Sequence, residues 1–369
     1  MTTEPQMSAT FEDVSDVVQR FRDHDYVMPD KVGTVVYLAA ELGKPVLVEG
    51  PAGVGKTELA KTLAAVTGRR LVRLQCYEGQ DDTKALYEWD YGKQLLYTQL
   101  LREQIDSLME GTTGLADAAS RLRDHEDVFF SEHFLLERPL LEAIRSPEPT
   151  VLLIDEIDRS DEHLEALMLE VLAEYQVTVP ELGTLVSRSS PLVVITSNAT
   201  RDVSEALKRR CLHLSLTYPT AEREMEILQL RIPGIAEDLL GQVVEVVRGM
   251  RDLDLRKAPS ISEALDWARA LTLLNVASLD RATVEETITL LIKYDRDVER
   301  VQGEIPRLLG RAGIDVALEQ QVHNHGDGHG HDHDQPHSHS RAQGAHHHHE
   351  HDDMRTDSKG YFGSVRGDH

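Results

Sequence analysis

Gly50-Pro51-Ala52-Gly53-Val54-Gly55-Lys56-Thr57 has the Walker A spacing, G-x-x-x-x-G-K-[ST], and its flanks carry the local structure that this motif needs. Upstream, Pro45-Val46-Leu47-Val48-Glu49 is a short apolar run of strand character. Downstream, Leu59, Ala60, Leu63 and Ala64 share one face of a helix from Thr57 to Val66, which stops at Gly68, a residue suited to a left-handed cap. Gly50, Gly53 and Gly55 let the backbone wrap closely around a polyphosphate, so that successive N–H groups and the helix N-terminus face negative charge. Lys56 is then placed to bridge β- and γ-phosphates, and the Thr57 hydroxyl to hold Mg²⁺. The bland alternative, a Gly-rich turn before an ordinary helix, leaves the full eight-position match in a strand-loop-helix setting unexplained.

Hydrolysis needs acids as well as a phosphate cradle, and these follow. Thr150-Val151-Leu152-Leu153-Ile154 is a continuous aliphatic run, the pattern of a central parallel strand buried on both faces, and it ends in Asp155-Glu156-Ile157-Asp158. Ligands of open α/β sheets sit outside the carboxyl ends of the strands, where these acids fall. Asp155 is expected in the Mg²⁺ shell and Glu156 as the group that orients and polarises the attacking water. Asp158 is expected to cap or support them. A third apolar strand, Pro191 to Thr196, ends at Ser197-Asn198, and an amide there can hydrogen-bond both the γ-phosphate and the lytic water. The expected fold class is α/β: a P-loop NTPase three-layer core with a parallel sheet, followed by a small helical domain.

This order of parts resembles an AAA+ ATPase, with Asn198 at the sensor 1 position. Glu205-Ala206-Leu207-Lys208-Arg209-Arg210-Cys211 is similar to the box that carries the arginine finger, which in that family reaches the ATP of a neighbouring subunit. Arg210 is the better match and Arg209 the reserve, because the family usually places an aromatic directly after the finger and Cys211 stands there. A guanidinium suits the role because it is always charged and forks onto phosphate oxygens. The plainer reading is a helix end whose basic residues face the dipole.

Two insertions narrow the resemblance. Leu86 to Tyr97 suggests aromatic strands around a turn containing Gly92, and Tyr175 to Thr184 suggests a hairpin before the sensor 1 strand. Such insertions resemble the MoxR branch of AAA+ proteins, and within it the CoxD-type members associated with maturation of carbon monoxide dehydrogenase and related molybdenum hydroxylases. The resemblance covers residues 12 to 305. It implies ATP and Mg²⁺ as ligands, a ring-forming homo-oligomer, a hexamer, a chaperone role toward a client enzyme, and a partner bearing a von Willebrand factor A domain. It also implies that the turn at Pro29-Asp30-Lys31 contacts adenine. One departure stands out: the family's sensor 2 arginine follows a proline at the start of a lid helix, whereas Leu255-Arg256-Lys257-Ala258-Pro259-Ser260-Ile261 has none after the proline. Either Arg256 or Lys257 substitutes, or the lid senses nucleotide differently.

Composition sets the remaining bounds. The chain has 369 residues, with 39 basic and 64 acidic side chains and a net charge of −25, which argues against nucleic acid as the main partner. Its two cysteines, Cys76 and Cys211, lack metal-motif spacing and suit a reducing compartment. With no apolar leader and no run long enough to span a bilayer, the expectation is a cytoplasmic protein without a membrane span. Residues 1–10 are expected to be disordered, 11–218 to form the ATPase core, 219–305 the helical lid, and 306–322 a linker helix. Helical periods are expected at Glu222 to Leu230, Ile235 to Arg251, Ser262 to Leu274 and Arg281 to Leu291.

From 323 to 369 the composition breaks into His, Gly, Asp and Ser, and 13 of the 18 histidines lie there. Such a segment has no core to bury and is expected to be disordered. His329, His331, His333, His337 and His339 form one cluster, and His346, His347, His348, His349 and His351 a second. Imidazoles at this density bind Ni²⁺, Cu²⁺ or Zn²⁺, although neither cluster has structural-zinc spacing. Adventitious or buffering metal binding and specific metal delivery both remain open. A His-rich metallochaperone GTPase for nickel or other metal insertion is therefore the rival class, but guanine specificity needs Asn-Lys-x-Asp after a strand, and Ser197-Asn198-Ala199-Thr200 stands there instead.

Overall fold

A computed structural model describes residues 10–80, 82–100, 131–180 and 182–314. The core runs α1 (Val14–Asp23), α2 (Asp30–Leu42), β1 (Val46–Glu49), α3 (Lys56–Thr67), β2 (Arg70–Gln75), α4 (Asp82–Leu86), β3 (Tyr87–Trp89), α5 (Tyr91–Leu100), β4 (Leu135–Glu137) and α6 (Pro139–Arg145). It continues with β5 (Thr150–Asp155), α7 (Glu162–Glu174), β6 (Gln176–Val179), β7 (Gly183–Val186), β8 (Leu192–Ser197), α8 (Glu205–Arg210) and β9 (Leu212–Ser215). The lid is α9 (Ala221–Arg231), α10 (Glu237–Arg251), α11 (Ile261–Leu273), α12 (Arg281–Thr287) and α13 (Asp295–Arg311).

Five strands form a parallel sheet in the order β2-β5-β8-β1-β9. The unbroken apolar runs follow from burial on both faces. Val151 and Leu153 pack with Val46, Val48 and Val194 on one side, while Leu152 and Ile154 pack with Leu47, Val193 and Ile195 on the other. With every strand parallel, the ends of β1, β5 and β8 open at the same edge, so the P-loop, the acids and Asn198 meet there.

The hairpin expected from Tyr175 to Thr184 forms as β6 and β7, paired antiparallel with Val177 opposite Leu185. The one expected around Gly92 does not. The strand stops at Trp89, and Asp90 starts a helix: its carboxylate accepts the Lys93 N–H at 2.9 Å and its carbonyl the Gln94 N–H. A helix-capping aspartate overrides the strand preference of the aromatics beyond it. β3 instead pairs antiparallel with β4, Trp89 opposite Leu135.

Of the four helical periods read from the lid sequence, the first three form as α9, α10 and α11, and the fourth forms as α12 followed by a 3-10 turn at Ile288–Leu290. Trp267 is fully buried there, its Nε1–H donating to Thr287 Oγ1 at 2.8 Å. The boundary expected at 305/306 falls inside a single helix, α13, whose Val301, Ile305, Leu308 and Leu309 are all buried in the lid core. One apolar stripe crosses the position, so the described part of 306–322 belongs to the lid rather than to a separate linker. The His-rich segment, with every histidine named in it, lies outside the described residues. Among the described residues no helix is long and apolar enough to cross a membrane.

Candidate nucleotide site

The P-loop leaves β1 and enters α3 through two left-handed glycines, Gly53 at φ 74° and Gly55 at φ 99°. A Cβ on Gly53 would lie 2.2 Å from Ser260 Cβ, so the lid rests directly on the loop and only glycine fits. Pro51 and Ala52 are exposed at the loop's crest, while Val54 is buried beneath it. Lys56 is buried, and its Nζ donates to Gly50 O at 2.7 Å, Pro51 O at 2.8 Å and Asn198 Oδ1 at 2.8 Å. Burial pushes its pKa below the ordinary lysine value, and the carboxylates of Asp158, Asp155 and Glu156 oppose that shift.

The acids stand opposite. Asp155 is buried and accepts from Thr57 Oγ1 at 3.1 Å, Thr196 Oγ1 at 2.5 Å and Arg73 Nη2 at 2.6 Å. Glu156 has a left-handed backbone, φ 59°, rare for a side chain with a Cβ, held by its N–H on Thr196 Oγ1 at 2.9 Å. That turn lifts its carboxylate out of the strand toward Asn198 Nδ2 at 3.4 Å, Gln75 Nε2 at 3.1 Å and Arg159 Nε at 3.2 Å. Asn198 is thus oriented unambiguously, its oxygen on Lys56 and its amide toward Glu156.

Asp158 acts as the expected support. It accepts the Asn198 N–H at 3.1 Å, the Thr200 N–H at 3.2 Å and the Thr200 hydroxyl at 2.5 Å. Burial raises its pKa, but the Thr200 and Asn198 hydrogen bonds outweigh this and hold it below the ordinary aspartate value.

Beside the P-loop, a cleft of about 670 Å³ runs between core and lid. Met28, Val32, Ile227 and Leu265 give it apolar walls, Pro29 and Lys31 line its entrance helix, and Gly53 to Gly55 form its floor. Its composition suits a flat aromatic base with phosphates on the glycine floor. Tyr26 closes the floor with its hydroxyl on Gly55 O at 3.3 Å, its pKa raised by burial and then by Glu58.

Arg209 and Arg210 are not among these residues. Both are exposed at the end of α8; Arg210 Nη1 donates to Leu169 O at 2.8 Å, and Arg209 makes no side-chain bond among the described residues. Neither candidate for the missing lid arginine lines the cleft. Arg256 stacks on the Tyr294 ring at 4.3 Å, and Lys257 bonds Glu263 at 2.9 Å.

Residues 45–211 match the AAA domain of the dynein-related subfamily. That region is an AAA-type ATPase domain. The domain implies binding of ATP and Mg²⁺, and the residues fit both. Thr57 and Asp155 present adjoining hard oxygens, and Mg²⁺ commonly takes one or two protein groups together with substrate phosphates. Relatives include an uncharacterized protein of Staphylococcus haemolyticus, 22% identical over 72% of this chain and 90% of that protein, and one of Staphylococcus epidermidis, 23% identical over 72% and 90%. Among solved structures, a point mutant of Thermotoga maritima RuvB is 14% identical, with TM-score 0.44 over 83% of this chain and 87% of that one. The Thermotoga maritima RuvB Holliday junction branch migration motor is 17% identical, with TM-score 0.42 over 80% and 83%.

Sequence reasoning did not anticipate Arg73, Gln75 or Thr196. The first two have a signal in the sequence: they are polar at alternate positions of β2, and so share one face of a strand whose other residues are Arg70, Leu71, Val72 and Leu74. What the sequence cannot supply is the pairing of β2 with β5, which sets Gln75 opposite Asp155.

Proposed function

We propose that this chain is a Mg²⁺-dependent ATPase of MoxR type, most similar to the CoxD-type members, that assembles as a ring and remodels a client enzyme during cofactor or metal insertion. The supporting observation is the meeting of Lys56, Thr57, Asp155, Glu156 and Asn198 at one sheet edge, beside a cleft whose floor is the P-loop. Thr57 and Asp155 would hold Mg²⁺, which when bound neutralises charge on the β- and γ-phosphate oxygens. Lys56 gives up a loop carbonyl to bind phosphate. Glu156 orients a water in line with the γ-phosphorus and draws its proton, while Asn198 fixes the Glu156 carboxylate and reports on the γ-phosphate. Arg210, with Arg209 in reserve, acts across the subunit interface.

A hexameric ring, a von Willebrand factor A domain partner, a molybdenum hydroxylase as client, and Ni²⁺, Cu²⁺ or Zn²⁺ bound by the His-rich segment belong to this proposal through the family resemblance and the histidine pattern. The test is steady-state hydrolysis of ATP against GTP, with assembly read by light scattering in the same buffers. ATP-selective turnover that rises with assembly is expected. GTP-selective turnover by a monomer or dimer would move the assignment to a metallochaperone GTPase. Truncation after Gln321 should leave turnover intact and lower Ni²⁺ or Cu²⁺ binding.

A further inference from the structure

Asp155 is held by a cation as well as by two hydroxyls. Thr57 and Thr196 approach Oδ1 at 3.1 and 2.5 Å, whereas Arg73 Nη2 takes Oδ2 at 2.6 Å and also touches Gln75 Oε1 at 2.5 Å. The parallel register sets Arg73 beside Leu153 and Gln75 beside Asp155, so the guanidinium needs to reach only a short way along the strand. The two partners differ sharply in burial: the Asp155 side chain is 4% exposed and that of Arg73 48%. β2 is one of the sheet's two outer strands, and the arginine enters from solvent onto a carboxylate that cannot leave.

We propose that Arg73 is an exchangeable counter-ion for Asp155, neutralising it when no divalent cation is bound and yielding it when Mg²⁺ and nucleotide enter, so that Arg73 sets how strongly nucleotide affinity depends on Mg²⁺. The proposal rests on Asp155 being the metal-side acid of the ATPase site. A buried carboxylate without a compensating charge is costly, and Asp155 shares its strand end with Glu156 and Asp158. Lys56 is bonded to loop carbonyls and Asn198, and Arg159 to Glu156, which leaves Arg73 as the cation bonded directly to Asp155 among the described residues. Its half-exposed side chain can swing to water without opening a cavity, which a resident structural cation could not do. Two charges that compete for one carboxylate are thermodynamically linked. Removing Arg73 favours the Mg²⁺-bound form and disfavours ATP binding without metal, where the arginine offsets repulsion between phosphate and the acids.

The test is the ratio of ATP-analogue dissociation constants in EDTA and in excess Mg²⁺, measured by titrating a fluorescent non-hydrolysable analogue into the full chain. Arg73→Ala should raise this ratio about three- to fivefold, the upper size of a partly exposed ion pair expressed as affinity. Arg73→Gln, which keeps length but not charge, should do the same, and Arg73→Lys should stay within about twofold of wild type. Arg70→Ala serves as the control, since Arg70 lies on the same strand but pairs with Glu142. An unchanged or lowered ratio in Arg73→Ala and Arg73→Gln overturns the proposal, as does an equal rise in Arg70→Ala. Wild-type protein that binds the analogue in neither buffer would overturn the ATPase reading itself, whereas Mg²⁺-dependent wild-type binding with no response to Arg73 removes only the counter-ion role.

Discussion

Lys56 Nζ lies 2.8 Å from Asn198 Oδ1, which ties the loop after β1 to the end of β8. A lysine buried to this degree must keep its ammonium donors paired, and here it borrows two loop carbonyls and one amide to do so. Phosphate oxygens are stronger acceptors for the same donors. Lys56→Ala should therefore weaken Mg·ATP binding by about 100-fold, as charge-assisted hydrogen bonds of this kind are lost. Isothermal titration reads this directly, and unchanged affinity would remove the P-loop argument.

Glu156→Gln keeps the size of the side chain and one acceptor oxygen for the amides of Gln75 or Asn198, but cannot draw a proton from water. Turnover should fall by about 10²- to 10⁴-fold while ATP affinity stays close to wild type. Assembled rings that persist in ATP should accumulate, visible by light scattering. Normal turnover in this variant would take Glu156 out of the proposed role.

Asp158 supports the sensor loop through three hydrogen bonds, so Asp158→Ala should cost about 1–3 kcal/mol in stability. The pH dependence has a defined sign. Its folded pKa lies below the ordinary value of 3.8, so its contribution is fully present above that value and is lost as pH falls through the folded one. The stability gap between wild type and Asp158→Asn, from urea unfolding, should be flat from about pH 5 to 8 and shrink below about pH 4. A gap that grows on acidification would contradict the assignment.

Gly53→Ala tests the contact between lid and P-loop. The new methyl would meet Ser260 Cβ at 2.2 Å, and φ 74° is itself costly for alanine. Nucleotide affinity should drop, and Ser260→Gly in the same chain should restore part of it by removing the collision. The restoration is partial because the backbone strain stays. No recovery in the double variant would mean that the strain alone accounts for the loss.

What is legible in the sequence divides along local and non-local lines. Walker A, the β5 acids, Asn198 and the lid helices are written in contiguous stretches with their own periodicity, and the structure places them as elements of the expected type. The Gly92 region reads wrongly as a hairpin because Asp90 is a helix-capping signal inside an aromatic run, and two local preferences compete. The lid boundary reads short because Pro306 interrupts the sequence pattern while the buried stripe from Val301 to Leu309 does not. Arg73 on Asp155, Gln75 on Glu156 and Ser260 on Gly53 depend on strand order or lid docking, which no single window of sequence carries.

The finger assignment is open to a complementation test. Arg210 donates to Leu169 O and, among the described residues, makes no side-chain bond to Lys56, Asp155, Glu156 or Asn198. Arg210→Ala should abolish turnover but leave ATP binding intact. Mixed with Glu156→Gln subunits, each variant supplies what the other lacks. At equal ratio about a quarter of the interfaces in a randomly mixed ring would join an intact Glu156 to an intact Arg210, and turnover should reappear at about that level. Recovery at no ratio would count against action in trans. If Arg210→Ala keeps its activity and Arg209→Ala loses it, the finger is Arg209, which stands exposed one position earlier on the same helix.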